Sequence, residues 1–370
     1  MSGSRLTLAR KLRGMSQTAL AKEVGVTPRA ISKYEKEGEG ISDMTLAAIA
    51  DALGFDASFF SLSDVDLPEP SAVSFRARSK MPAKNRDQAL AVSTFGVELS
   101  DWISAEYILP KLDVPDLQGF DPEDAARAVR EAWGLGEGPI PNVIAVLEAH
   151  GIRVFSITEA SEKIDAYSFW DEDRNQPFVF LTTSKSGERR RMDASHELGH
   201  LVMHRKVDLD RLGTRDVEKE ADSFASAFLM PSRGFRSKTP RGLTLSDAMR
   251  VKRFWKVSAF AAVYRAHTLG LISDWQYHDL CKKMGMRGMR TNEPDGIEPE
   301  RSQIADKVLD LEKESSGSLF EIANATNIPF QLIQSLTFRP PIGVIAGGSR
   351  GQTQKKTSIA NFSVINTGRA

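Results

Sequence analysis

The sequence predicts a mostly helical α+β protein. It consists of an all-α N-terminal domain, a central domain with a small sheet and one motif-bearing helix, and a helical C-terminal region. Three observations lead there. Apolar residues fall at helical spacing over most of the chain, beginning with Leu6, Leu8, Ala9 and Leu12. The period shortens to two only in three short runs between Ile152 and Leu181. Those runs lead directly into a helical stretch that reads His196-Glu197-Leu198-Gly199-His200.

Composition sets the bounds. At 370 residues the chain has room for two or three domains. Hydrophobic residues make up 41% and charged residues 26%, which places it with ordinary globular proteins and away from fibrous or disordered classes. Lysine plus arginine equal aspartate plus glutamate at 49 each, so total charge gives no reason to invoke nucleic acid. The distribution does, because residues 1–40 hold eight Lys or Arg against four Glu. The single cysteine, Cys281, excludes an intrachain disulfide and a cysteine-ligated iron–sulfur cluster, and reads as a buried small hydrophobe. No apolar run approaches the roughly 20 residues of a spanning helix, and no signal-peptide core opens the chain. A cytoplasmic protein without a membrane partner is the expectation.

Within residues 1–60, Leu20, Ala21 and Val24 continue the helical period after Leu12. Ser16 is placed to cap a second helix, with Gln17 in its first turn. Gly25 breaks the chain, and Thr27 caps a third helix that starts at Pro28. Ile41 to Leu53 is a further amphipathic helix. Ser16-Gln17, Leu20-Ala21, Gly25-Val26 and Ala30 to Glu35 resemble the XRE/Cro-type helix-turn-helix family over about residues 4–60. The resemblance implies double-stranded DNA as partner, with the third helix in the major groove. Carried over by position, Gln17 and Lys33 would contact phosphate or groove, and Thr27, Arg29 and Ser32 would face bases. A helical dimerisation or protein-binding module is the alternative.

Residues 61–87 read as a linker, with a short strand at Val73–Arg76 and a solvated basic stretch over Arg76–Arg86. The central domain is expected over 88–235, opening with a helix from Gln88 to Leu109 and two more over 121–134 and 142–150. Ile152–Ile157, Ala166–Trp170 and Pro177–Leu181 are the three strands, with Asp171–Asn175 as a turn. An exposed edge of such a sheet would align an extended peptide through its main chain. The helix Gly187–His204 follows, its opening Arg189-Arg190-Arg191 read as solvated. Helical segments over 236–290, entered at Thr244 and Ser258, would cover the central domain or make a dimer surface that narrows a cleft beside Phe178–Leu181. A small trihelical unit over 300–340 faintly echoes the N-terminal fold, and the tail 347–370 reads as flexible.

The chemistry lies in two matched motifs. On a helix, His196 and His200 lie one turn apart on the same face, so both imidazoles can meet one ion. Glu197 beside them is a candidate general base. The third ligand must come from elsewhere, and Glu218 is well placed, with Asp222 one turn on as a hydrogen-bond partner for a ligand imidazole. Glu220 is the competing carboxylate. His204 continues the histidine face and reads as a buried or rim residue. Two imidazoles and a carboxylate suit Zn2+, with manganese or iron left open.

His196-Glu197-x-x-His200, Glu218-x-x-Ala221-Asp222-x-Phe224-Ala225 and Leu229-Met230-Pro231 resemble the ImmA/IrrE metallopeptidase family over roughly residues 145–235. That resemblance implies a compact zincin fold and a protein substrate such as a transcriptional repressor. Fused to the N-terminal domain, it implies a DNA-binding regulator joined to a zinc endopeptidase, with a homodimer allowed. The alternative is a non-proteolytic regulator whose zincin-like domain senses a ligand or partner.

Overall fold

The computed structural model describes residues 1–66, 74–75, 82–157, 164–205, 214–314, 319–339 and 365–366. Four helices open the chain: α1 (Gly3–Leu12), α2 (Gln17–Val24), α3 (Pro28–Glu37) and α4 (Asp43–Leu53), followed by a 3-10 turn at Ala57–Ser61. Their ends follow local chemistry. The Ser16 hydroxyl accepts from the Ala19 amide and the Thr27 hydroxyl from the Ala30 amide, while Gly25 closes α2 at φ 72°. Leu6, Leu20, Ile31, Ile49 and Leu53 form the interior of this unit.

After β1 (Ser74–Phe75) comes α5 (Ala83–Glu106), whose 24 residues span about 36 Å at 1.5 Å each. It starts inside the stretch read as linker. Lys84, Asn85, Arg86 and Asp87 carry no apolar period, so the pattern alone could not extend the helix upstream of Gln88. Then follow β2 (Tyr107–Ile108), α6 (Pro122–Ala132), α7 (Val143–Ala149), β3 (Arg153–Ile157), β4 (Ala166–Asp171) and β5 (Gln176–Thr182). The remainder of the described chain is helical until its last strand. It comprises α8 (Gly187–Met203), α9 (Arg215–Leu229), α10 (Ser232–Lys238), α11 (Leu245–Trp255), α12 (Ala259–Thr268), α13 (Asp274–Met286), α14 (Gln303–Glu314), α15 (Leu319–Thr326), α16 (Phe330–Leu336) and β6 (Ile365–Asn366). The expected flexible tail falls outside the described residues except for β6, which pairs antiparallel with β2.

The main sheet has the order β1-β4-β5-β3. β4 runs antiparallel to both neighbours, and β3 runs parallel to β5. Both faces are covered, so the three strands are buried at nearly every position and do not alternate with the period of two read from the sequence. Val154, Ala166, Val179 and Leu181 join Ala194, Leu198, Leu201 and Val202 of α8 in one core. Phe155, Tyr167, Phe169, Phe178 and Phe180 join Leu90, Phe95 and Leu99 of α5 in another, which continues into the N-terminal unit through Leu6, Phe55 and Phe59. The sheet is therefore the wall between two cores. Helix α5 lies so close to it that a Cβ on Gly96 would stand 2.7 Å from the Phe180 ring.

Several expectations are met or changed here. Arg190 and Arg191 are buried, not solvated. Arg191 donates to the carbonyls of Ile140 and Lys256 and pairs with Glu300, pinning three distant segments to the start of α8. Phe178–Leu181 is wholly buried in the sheet and lines no cleft. The helices α11 to α13 take the first of the two roles expected of them, covering the central domain: they share the core of α8 and α9 through Val251, Trp255, Val263 and Leu280. Helix α16 buries Leu332, Ile333 and Leu336 against the second core, so its resemblance to a recognition helix is that of a packed helix. Cys281 is half-buried. No described helix is long and apolar enough to cross a membrane.

Candidate metal centre

Helix α8 begins at a Ser186 cap and runs almost entirely through the interior. It packs so tightly on α9 that a Cβ on Gly199 would stand 3.1 Å from the Phe224 ring and 3.3 Å from the Ala221 Cα. The glycine between the two histidines thus sets how near the carboxylates of α9 come to them.

The Nε2 atoms of His196 and His200 stand 3.0 Å apart. Glu218, in the first turn of α9, places Oε2 at 3.4 Å from His196 Nε2 and Oε1 at 3.6 Å from His200 Nε2. Both carboxylate oxygens are buried yet accept no hydrogen bond. Ligand atoms about 2.05 Å from a tetrahedral ion lie about 3.3 Å from one another, so the three separations fit one cation of zinc size. A buried carboxylate whose oxygens accept no hydrogen bond, converging with two imidazole nitrogens in the interior, makes an electron-rich pocket that a cation satisfies. Among the described residues, this is the one His/Cys/Asp/Glu group with metal-holding geometry.

The surrounding residues hold the ligands from behind. His196 Nδ1 lies 2.9 Å from Asp222 Oδ1. His200 Nδ1 lies 3.1 Å from His204 Nδ1, whose Nε2 in turn lies 2.9 Å from Glu220 Oε2. Burial holds the His204 imidazole below its usual range, partly offset by Glu220. Glu220 is thus committed to His204, while Glu218 faces the two imidazoles.

Glu197 is fully buried and accepts a 2.6 Å hydrogen bond at Oε2 from the Ser168 hydroxyl. Desolvation is the largest influence and pushes its carboxyl up to about 7; His196 and Ser168 oppose the rise, while Glu218 and Asp193 add to it. Ser168 went unnoticed in the sequence, although a lone polar residue inside the apolar run Ala166–Trp170 was the signal available. Ser168 sits on β4 next to Tyr167, and successive strand residues face opposite sides. Tyr167 therefore reaches the α5 side, where its hydroxyl donates to the Ala89 carbonyl, while Ser168 reaches Glu197.

The outer edge of β4 is not free at this point. Ser74 pairs with Ser168 and Phe75 with Tyr167, so the chain's own segment occupies the edge of β4 at this point.

The five residues singled out for DNA lie apart from this centre, on α2, α3 and the turn between them. Arg29 and Lys33 are exposed, with Lys33 3.7 Å from Glu37. Ser32 is half-buried, and Thr27 is exposed with its hydroxyl capping α3. Gln17 has an internal partner: its amide donates to Glu35, which also pairs with Arg10, tying α1, α2 and α3 together.

Comparison with known families agrees with this division. Residues 6–60 match the helix-turn-helix family, and residues 147–267 match a peptidase family described as the IrrE N-terminal-like domain. The second match runs past Pro231 through α11 and α12, the helices that share the core of α8. No curated protein matches the chain.

Proposed function

We propose that this chain is a DNA-binding transcriptional regulator whose second domain is a zinc-dependent endopeptidase, acting on a regulatory protein such as a repressor. The observation that carries the reading is the convergence of His196, His200 and Glu218 beside a buried Glu197 that a neighbouring hydroxyl already orients. His196, His200 and Glu218 would hold the ion, and Asp222 would fix the ring of His196. When bound, zinc supplies Lewis acidity that brings the pKa of a water toward about 7.

The chain's own groups do the rest. Ser168 engages Oε2 of Glu197, which leaves Oε1 to take the proton of the attacking water and return it to the leaving amine. Burial, opposed by His196 and Ser168, puts the Glu197 carboxyl up at about 7, and a cation held by the three ligands would lower it and favour the ionised base. Nothing in a purely structural zinc site calls for such a group. At the other end, Arg29 and Lys33 on α3 would meet phosphate or bases, with Thr27 and Ser32 beside them and Gln17 bracing α2 against α3.

One observation favours the alternative of a non-proteolytic sensor: the β4 edge beside Ser168 is already paired with Ser74–Phe75. The two readings separate in one experiment. The purified, zinc-loaded chain is incubated with candidate repressors and compared with Glu197→Gln. The peptidase reading expects cleavage by the parent and a loss of about 10²-fold or more in the variant. Equal rates, or no cleavage of any repressor whose binding the protein alters, support the sensor.

A further inference from the structure

The two histidines of the centre are supported differently. His196 meets a carboxylate directly, with Asp222 at 2.9 Å. His200 meets another imidazole, His204, at 3.1 Å through Nδ1 on both rings, and Glu220 stands 2.9 Å behind that imidazole. His204 is 4% exposed and terminates α8, whereas Glu220 comes from α9 with its side chain half in solvent.

The proton positions follow from the ends of this series. An imidazole that binds an ion through Nε2 carries its proton on Nδ1 and donates from there. His204 Nδ1 must then accept, which puts the proton of a neutral His204 on Nε2. That proton points at Glu220, a group that only accepts when ionised. Every donor and acceptor in His200–His204–Glu220 is therefore assigned without conflict, and only one arrangement of protons satisfies all three groups.

Resting on the metal-site reading above, we propose that His204 and Glu220 are positioning residues for His200. They form a two-step relay that fixes the ring's tautomer and orientation and strengthens its lone pair toward the ion. Glu220 acts through His204 and not on the ion itself. The relay also joins α8 to α9 a second time, beside the His196–Asp222 contact. Loss of a partner behind a ligand imidazole typically lowers metal affinity about 10- to 100-fold.

The test measures zinc affinity by competition with a chelator, and the visible spectrum of the cobalt-loaded protein, independently of any peptidase assay. His204→Phe keeps a ring of similar size but cannot accept from His200, and is expected to weaken zinc binding by about 10- to 100-fold. His204→Gln, which restores an acceptor, should recover part of that loss. Glu220→Ala should weaken binding severalfold on its own and have no further effect when added to His204→Phe, because groups acting in series are not additive. The inference is overturned if His204→Phe and Glu220→Ala each bind zinc within about twofold of the parent, or if their effects simply multiply. Should His204→Phe not fold, Glu220→Ala decides alone, since its side chain is half-exposed, and unchanged affinity there refutes the relay. The underlying reading fails separately: a parent protein that binds zinc no better than His196→Ala has no metal centre to position.

Discussion

Replacing Ser168 with alanine removes one hydroxyl and tests the assignment of Glu197 as the base. The hydrogen bond is 2.6 Å long and joins a fully buried carboxylate to a donor that is itself 2% exposed, so no water replaces it readily. A hydrogen bond to a charged group contributes about 1.5–3 kcal/mol, and one pKa unit corresponds to about 1.4 kcal/mol. The loss therefore destabilises the ionised form and raises the Glu197 pKa by about one to two units. The sign is fixed: a base must be ionised to act, so raising its pKa removes activity from the acid side. In Ser168→Ala the acid limb of the pH–rate profile should move up by about one to two pH units, with the rate at high pH nearly restored and zinc content unchanged. The assay is the initial rate of cleavage of a repressor that the parent protein cleaves, from about pH 5 to about pH 9, with zinc stoichiometry measured alongside. An acid limb that stays in place refutes the claim that this hydroxyl tunes the base. A uniform drop at every pH would mean that Ser168→Ala disturbs geometry instead.

Other consequences can be checked directly. His196→Ala and Glu218→Ala should each lose bound metal by elemental analysis while Glu197→Gln keeps it; full occupancy in Glu218→Ala would remove Glu218 from the ligand set. Arg29→Ala and Lys33→Ala should weaken DNA binding and leave metal content untouched. Each should also reduce the log–log salt slope by about one if its side chain neutralises a phosphate. Binding and slope identical to the parent's would discard α3 as the recognition helix. Glu148, buried where it accepts from Ser302, Gln303 and Ile304 at the start of α14, is pushed up to about 7, chiefly by desolvation. A carboxyl raised in the folded state contributes stability that is complete below its ordinary pKa and is lost as pH rises through about 7. Thermal melts of the parent should therefore decline between about pH 5 and pH 8, by at most about 3 kcal/mol from this group, and Glu148→Gln should flatten that decline. Identical pH dependence in parent and Glu148→Gln would remove Glu148 as the source.

Much of this architecture is readable in local chemistry. Ser16, Thr27, Asn142 and Ser258 each cap the helix that their position suggests, because a cap depends on residues within one turn. His196 and His200 are legible for the same reason, since four residues on a helix fix which side chains share a face. What stayed hidden depends on distance along the chain. Arg191 looks solvated beside Arg189 and Arg190, and only the arrival of Ile140, Lys256 and Glu300 explains its burial. The partner of Ser168 lies 29 residues away, and the pairing of Ser74 with Ser168 crosses most of the central domain. Helix α5 begins upstream of its apolar period because its first turn faces solvent, where the pattern carries no information.

The packing of α5 has a practical consequence for anyone dissecting the protein. Phe95 stacks near Phe55 and Phe59 at ring separations of 5.7 and 5.9 Å, and Arg5 on α1 reaches Glu98 at 2.6 Å. The two ends of the chain are thus not beads on a string. A fragment beginning at Ala83 would strip Phe95 and Glu98 of their N-terminal partners and turn that face of α5 to water, an invitation to aggregate. The N-terminal fragment alone would bare Phe55 and Phe59 in the same way. Genetic exchange of either part must therefore carry a matching surface with it.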